Sequence, residues 1–309
     1  MPPAKKIKYI YVLSQRYSGS TLLSFLLATH PDISTIGERR KFYNKSLRSK
    51  EFAHHKAQHC SCGQLFEACP YFNAIKARVL AKIDPAILIN NTTEFHIFKN
   101  KYLNRIAYEI IQLAALSRPE SQYFPFQNKI NKLGHFNQTL VEEILDLDQT
   151  KAFLDTSKII NHALFLSMVK AFDFYVIWLV RDPRAQVNSA IKYNDWSVEA
   201  AAKAWKKEMI QNEKVLEKKK INFIKVRYED ICRATTDELQ RIGTFTGLEA
   251  SQFSLDFRQP TQHIIGNFKM RRGTDQKITE RKEWQEQLST AQVDIIEKLT
   301  EGYRTLYSQ

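Results

Sequence analysis

The chain has 309 residues, 43% of them hydrophobic, enough for one large α/β domain or two small ones and too much for a disordered chain. A net charge of +13 suits an anionic ligand but does not choose among nucleic acid, a membrane surface, an acidic glycan and a nucleotide. No apolar run approaches the ~18 residues of a membrane span, and the basic opening MPPAKKIK leads into a strand pattern rather than a signal-peptide core, so a soluble, cytoplasmic chain without stable membrane insertion is expected.

The first predicted element is a short apolar strand at 9–13, followed by the loop Ser14-Gln15-Arg16-Tyr17-Ser18-Gly19-Ser20-Thr21 and a helical pattern at 19–29. HPDISTIGE (30–38) reads as a turn and a second short strand ending at Glu38. From about 40 to 150 the patterns are mostly helical (75–83, 102–116, 137–147). We read this stretch as a helical cap inserted into a single domain spanning 1–309. Strand patterns return at 152–155, in the continuous apolar run FYVIWLV (174–180) and at 222–226. Helical patterns occupy 183–193 and 197–218, and 284–307 reads as one more amphipathic helix. Apolar strands alternating with helices predict a three-layer α/β fold: a central parallel sheet flanked by helices, as in P-loop NTPases, with the helical insertion. Ligands of such sheets bind beyond the carboxyl ends of the strands, so candidate site residues lie just after them.

A nucleotide P-loop reads G-x-x-x-x-G-K-[ST]. Aligned on Gly19, the loop here has Ser14 for the first Gly, Ser20 for the Lys and Thr21 at the last position. Backbone N–H groups at a helix start can still face an anion. The Lys that grips β- and γ-phosphates is missing, which argues against an ATPase or kinase and suits a shorter anion, one phosphate bonded to one sulfate. Taken alone, the loop is equally an ordinary helix-capping turn. The strand at 174–180 runs into Arg181-Asp182-Pro183-Arg184, with Ser189 two helical turns along. Asp182 can cap the helix and Pro183 suits its first position. The plain alternative is a strand-to-helix turn with a surface Arg.

Together, SGSTLL (18–23) and LVRDPRAQVNS (179–189) resemble the 5′-phosphosulfate loop and the 3′-phosphate motif of the sulfotransferases that use 3′-phosphoadenosine-5′-phosphosulfate (PAPS). The resemblance implies that Ser18, Gly19, Ser20 and Thr21, with Arg16 and Tyr17 before them, hold the phosphosulfate. It implies that Arg181 and Ser189 hold the 3′-phosphate. DTSK (155–158), RYED (227–230) and GNFKMRRG (266–273) are similar to further segments of that family. They imply a transition-state role for Lys158, a nucleotide hydrogen bond from Tyr228, and closure of Arg271 and Arg272 over the 3′-phosphate. The family often carries Arg immediately before Ser-Gly; here that position is Tyr17, and Arg16 stands one place earlier.

Sulfuryl transfer needs in-line geometry, stabilised charge on the moving group and a base for the acceptor proton. The sulfuryl group carries less charge than a phosphoryl group, so no metal is required. Glu38 in IGERR (36–40) is the candidate base, and the segment is similar to the catalytic Glu-Thr-Arg of tyrosylprotein sulfotransferases. The plain alternative is a carboxylate paired with Arg39 or Arg40. Lys158 either stabilises the leaving phosphate oxygen or is one exposed lysine among many. Tyr228 also fits a core position at a strand end, and Arg271 and Arg272 an ordinary basic loop.

Cys60, Cys62 and Cys69 form C-x-C-x₆-C, with His54, His55 and His59 nearby. Thiolates and imidazoles bind zinc, but the spacing matches no well-known zinc module and the fourth ligand is not fixed. Free thiols are the preferred reading, with a metal or a local disulfide left open.

The expected activity is transfer of a sulfuryl group from PAPS to a hydroxyl or amine of a small-molecule, carbohydrate or lipid acceptor, with no nucleic-acid partner. One rival is a P-loop NTPase or small-molecule kinase, which would need the loop Lys and Mg²⁺. The other is a non-catalytic basic protein that binds an anion or glycan. It would need neither Glu38 nor the Arg181–Ser189 pair, and its binding would fall steeply with salt. The acceptor and the oligomeric state are not legible.

Overall fold

The computed structural model describes residues 6–42, 59–83, 127–258, 262–267 and 276–306, with scattered positions at 100–113 and residues 270, 271 and 273. Five strands form one parallel sheet: β1 (Ile7–Ser14), β2 (Ile33–Thr35), β3 (Ala152–Lys158), β4 (Phe172–Val180) and β5 (Phe223–Arg227), in the order β2-β3-β1-β4-β5. The helices that matter here are α1 (Ser20–Leu27), α2 (Pro70–Leu80), α3 (Gln127–Asp148), α4 (Ile160–Leu166), α5 (Pro183–Asn194), α6 (Val198–Lys218), α7 (Tyr228–Arg233), α8 (Thr235–Thr246), α9 (Trp284–Gln287) and α10 (Thr290–Leu299).

The central strand explains the three layers. Tyr9, Tyr11 and Leu13 join a core cluster with Phe66, Phe72 of α2, Phe136 of α3 and Trp205 of α6. Ile10 and Val12 join a second cluster with Leu23 and Leu26 of α1, Ile231 of α7 and Leu239 of α8. Both faces of β1 are covered, so its sequence is continuously apolar rather than alternating. Among the described residues, no helix is long and apolar enough to cross a membrane.

Several expected elements differ in extent or continuity. β2 ends at Thr35, not Glu38. Gly37 turns the chain off the sheet with φ +73°, and a Cβ there would lie 2.2 Å from the Ile265 carbonyl oxygen. Only glycine fits such a left-handed, crowded position. The stretch 284–307 is not one helix: α9 stops at Gln287, and Ser289 opens α10 through a reciprocal capping box with Gln292. The cap helix expected at 75–83 begins earlier, at Pro70, and 137–147 is the later half of α3. Most of the helix expected at 102–116 lies outside the described residues.

The strand order creates the site. From β1 the chain moves past β3 to β2, returns to β3, and then crosses to β4 on the other side of β1. The reversal point lies at the carboxyl end of β1, where open α/β sheets bind ligands. Register places Leu13 beside Lys158 and Ser14 beside Leu179, so three motif-bearing loops leave neighbouring strand ends.

A buried polar network braces this edge. Fully buried Asp155 of β3 accepts from Arg39 Nε (3.0 Å), the Tyr9 hydroxyl (2.8 Å) and the Ser157 N–H (2.9 Å). Arg39, also fully buried, donates through Nη1 to Asn137 of α3. Burial, reinforced by the Asp155 charge, pushes the Tyr9 hydroxyl well above its usual range, so it remains a donor. Removing one member of a buried pair leaves the other charge uncompensated. Asp155→Ala is therefore expected to cost about 3–5 kcal/mol in urea denaturation. Lys151→Ala, which removes the exposed pair with Asp32, should cost no more than about 1 kcal/mol. Equal losses would contradict the network.

Candidate active site

After β1 the backbone passes through two left-handed residues, Tyr17 (φ +65°) and Gly19 (φ +87°), before α1 begins at Ser20. Such alternation turns successive N–H groups inward and makes an anion-binding nest. No side chain caps α1, so its first-turn N–H groups, at the positive end of the helix dipole, are left for an anion. The hydroxyls of Ser14 and Ser18 are buried and lack a hydrogen-bond partner among the described residues. A Cβ on Gly19 would lie 2.3 Å from the Tyr228 ring, so the close approach of ring and loop also requires glycine.

Tyr17 is costly in its conformation and is pinned from several sides. Its carbonyl accepts from Arg181 Nη1 (2.7 Å), its hydroxyl donates to Asn194 (3.0 Å), and its ring stacks on Tyr193 (5.6 Å between centroids). The Tyr17 side chain thus belongs to the α5 surface, and only its backbone belongs to the nest. Gln186 continues the bracing: it donates to the Arg16 carbonyl (2.7 Å) and accepts from Trp205 Nε1 (2.8 Å).

Arg181, at the end of β4, is almost fully buried. Its guanidinium lies 4.5 Å over the Tyr228 ring and also donates to the Arg281 carbonyl (3.2 Å), while its Nε has no hydrogen-bond partner among the described residues. The structure therefore brings Arg181, Tyr228 and the Gly19 loop together. The Tyr228 hydroxyl donates to the Thr279 carbonyl (3.2 Å), so the ring acts here as a wedge. Among the described residues, Ser189 makes no hydrogen bond to these groups. Its hydroxyl donates to the Ala185 carbonyl of its own helix (3.0 Å).

On the other side of β1, Lys158 closes β3 with φ +77°, and its Nζ lies 3.2 Å from Glu38 Oε1. Glu38 is buried and also meets Lys41 (2.7 Å) and Arg40 (3.6 Å). Burial favours its neutral form, but Lys158, then Lys41 and Arg40, outweigh burial and hold the carboxyl at about 2. Glu38 is an ionised carboxylate clamped by three cations.

The segment 262–267 crosses both halves. Ile265 donates to the Ile36 carbonyl (2.8 Å) and accepts from the Glu38 N–H (2.7 Å), and Asn267 N–H donates to Thr21 Oγ1 (3.2 Å). Arg271 is buried and bonds the Gly266 carbonyl through Nε (3.0 Å), beside the Thr21 contact. Arg272 lies outside the described residues.

Glu208 of α6 escapes sequence reasoning. Burial pushes its carboxyl up to about 7 against the opposing charge of Arg16, whose side chain is exposed. In the sequence Glu208 is one acid among many charged residues of a helix, and only burial distinguishes it.

The two glutamates give opposite pH signatures. Glu38, held at about 2 against an ordinary 4.5, contributes stability that is present above pH 4.5 and lost as pH falls towards 2. Glu208, raised from 4.5 to about 7, contributes stability that is present below 4.5 and lost as pH rises through 7. Thermal melts across pH should show Glu38→Gln destabilised near neutrality, with the deficit narrowing in acid. Glu208→Gln should match the wild type in acid and exceed it above neutrality. Parallel curves for either variant would contradict the assignment.

A search of the curated proteins finds no match. Among solved structures, the sulfotransferase domain from the curacin biosynthetic pathway is similar at 18% identity, covering 98% of this chain and 92% of that one, with a TM-score of 0.47. The model of the sulfotransferase family matches residues 10–252, a span that holds the Gly19 loop, Glu38, Lys158, Arg181, Ser189 and Tyr228. By that match over most of its length, the chain belongs to the sulfotransferase family.

Proposed function

We propose that the chain, acting as one domain over 1–309 with a cap at about 40–150, transfers a sulfuryl group from PAPS to a hydroxyl or amine of a small-molecule, carbohydrate or lipid acceptor. The observation that carries the reading is the set of unsatisfied groups at the end of β1. The first-turn N–H groups of α1 lack a cap, and the Ser14 and Ser18 hydroxyls and Arg181 Nε are buried without partners among the described residues. Buried donors of this kind call for a ligand, and donors on both sides of the loop fit a molecule with two separated anionic groups. Ser20 in place of the P-loop Lys favours a phosphosulfate over a triphosphate.

When bound, PAPS supplies a sulfuryl group that passes to the acceptor oxygen or nitrogen, leaving 3′-phosphoadenosine-5′-phosphate. In this reading Ser18 to Thr21 hold the phosphosulfate, with Arg16 at the rim of the loop. Arg181 and Ser189 hold the 3′-phosphate, which requires Ser189 to exchange its bond to Ala185. Tyr228 orients Arg181 and the loop, and Arg271 supports the loop from the Thr21 side. Lys158 is shared: an anion at the loop draws it from Glu38, and its ammonium then stabilises the negative charge that develops on the leaving phosphate oxygen. Losing that cation raises the proton affinity of Glu38, which improves it as the base for the acceptor proton.

Calorimetry with 3′-phosphoadenosine-5′-phosphate tests the donor. Micromolar binding is expected, weakened at least about 100-fold, or about 2.7 kcal/mol, in Arg181→Ala/Ser189→Ala and unmatched by ATP with Mg²⁺. Better binding of ATP, or an unaffected double variant, would sink the proposal. With an acceptor in hand, Glu38→Gln should lower kcat by about 10²–10⁴ while leaving the bisphosphate Kd within a few-fold.

A further inference from the structure

Four soft donors from three separate segments meet at the foot of the cap. Cys60 and Cys62 lie on a tight turn, in which Gly63 (φ +97°) donates to the Cys60 carbonyl (3.1 Å) and Cys60 N–H donates to the Gln64 carbonyl (2.8 Å). Cys69 is the residue before α2. His263 arrives from the segment 262–267, about two hundred positions later. Ser61 ties that segment to the turn: its hydroxyl donates to the Gln262 carbonyl and accepts from the Ile264 N–H (2.8 Å).

The ligand atoms of Cys60, Cys62, Cys69 and His263 all lie within 4.8 Å of one another. His263 Nδ1 is 3.4 Å from Cys60 Sγ and 3.3 Å from Cys69 Sγ, and the sulfurs of Cys62 and Cys69 are 3.7 Å apart. With Zn–S about 2.3 Å and Zn–N about 2.0–2.1 Å, a tetrahedral site has S–S edges of about 3.8 Å and S–N edges of about 3.6 Å. The observed spacings fit those edges. They do not fit a disulfide, which needs about 2.05 Å, and all three cysteines are free thiols.

The surroundings fit a ligand set too. Cys60 accepts a backbone hydrogen bond from Cys62, and Cys69 accepts one from Phe72, contacts that hold both sulfurs in place. The His263 ring is fixed by stacking on Tyr71 (4.4 Å between centroids, 12° between planes), whose hydroxyl donates to Asp148 (2.7 Å). Three thiols and an imidazole meeting in one place, Cys60 and Cys69 buried and Cys62 and His263 half-buried, and oriented by backbone and ring contacts, are poorly explained as packing alone.

We propose that Cys60, Cys62, Cys69 and His263 bind one zinc ion. Four protein ligands leave no open position, so the ion is structural. Binding releases the thiol protons to solvent. The ion fastens 262–267 to the cap. Ile265, two residues from the ligand His263, holds the Gly37–Glu38 turn, and Asn267 meets Thr21. The metal thus stabilises the segment that spans both halves of the active site without touching the reacting atoms.

Protein purified without chelator or added metal should carry about one zinc per chain by elemental mass spectrometry. After exchange with Co²⁺ it should show the visible bands of a tetrahedral cobalt thiolate. Cys62→Ser/Cys69→Ser should fall below about 0.1 zinc per chain, while His263→Cys, which supplies a fourth thiolate, should keep about one. Should the double serine variant fail to fold, an organomercurial titration of the wild type decides: zinc must leave in step with the thiols modified. Wild-type protein with intact thiols and less than about 0.1 zinc, a Cys62–Cys69 disulfide by mass spectrometry, or zinc release uncoupled from thiol modification would each overturn the proposal.

Discussion

A guanidinium and a carboxylate sealed from water, Arg39 and Asp155, set the spacing on which the active site depends. Glu38 precedes one of them, and Ser157 and Lys158 follow close behind the other. Joining the pair brings the turn after β2 against the end of β3 and puts the Glu38 carboxylate and the Lys158 ammonium in contact. Tyr9 adds the central strand and Asn137 the cap. A buried pair of this kind adds little net stability over apolar packing, but it tolerates few alternative geometries because either charge alone is so costly. Its value here is positional.

Strain and unsatisfied polarity gather at the same edge of the sheet. Tyr17, within the nest, and Lys158, at the end of neighbouring β3, both adopt positive φ without being glycine. The first is held by Arg181, Asn194 and Tyr193, and the second by Glu38 and the β3 hydrogen bonds. Such residues persist where the surroundings over-determine them, as at ligand sites. The charge surplus of the chain is not a diffuse coat at this point. Three cations converge on the single Glu38 carboxylate, which offsets only part of their charge and leaves a local positive surplus suited to an anion. In the proposed reaction, one lysine would serve both the resting site and a negative transition state.

Much of the fold was legible because burial leaves a mark on composition. β1 and β4 are covered on both faces and read as unbroken apolar runs, and Asp182-Pro183 announced the start of α5, where Asp182 does accept from the Arg184 N–H. What stayed hidden depends on partners distant in sequence. β2 stops short because Gly37 turns against Ile265, more than two hundred residues away. His263 could not be tied to the cysteines because its spacing from them follows from the fold, not from a local motif. Glu208 differs from neighbouring acids only by its burial. The break before α10 is a different case. Ser289-Thr290-Ala291-Gln292 carries a capping-box pattern, and the amphipathic periodicity masked it.

In the proposed reading the end of β1 is a two-anion site with the loop on one side and Arg181 on the other. A crystal structure with 3′-phosphoadenosine-5′-phosphate bound tests it most directly. The 5′-phosphate is expected on the N–H groups of residues 18–21 and the Ser18 hydroxyl. The 3′-phosphate is expected on Arg181, with Ser189 turned from Ala185 to the ligand and Lys158 drawn away from Glu38. A nucleotide bound elsewhere, or one that leaves Ser189 on Ala185 and Lys158 on Glu38, would contradict it.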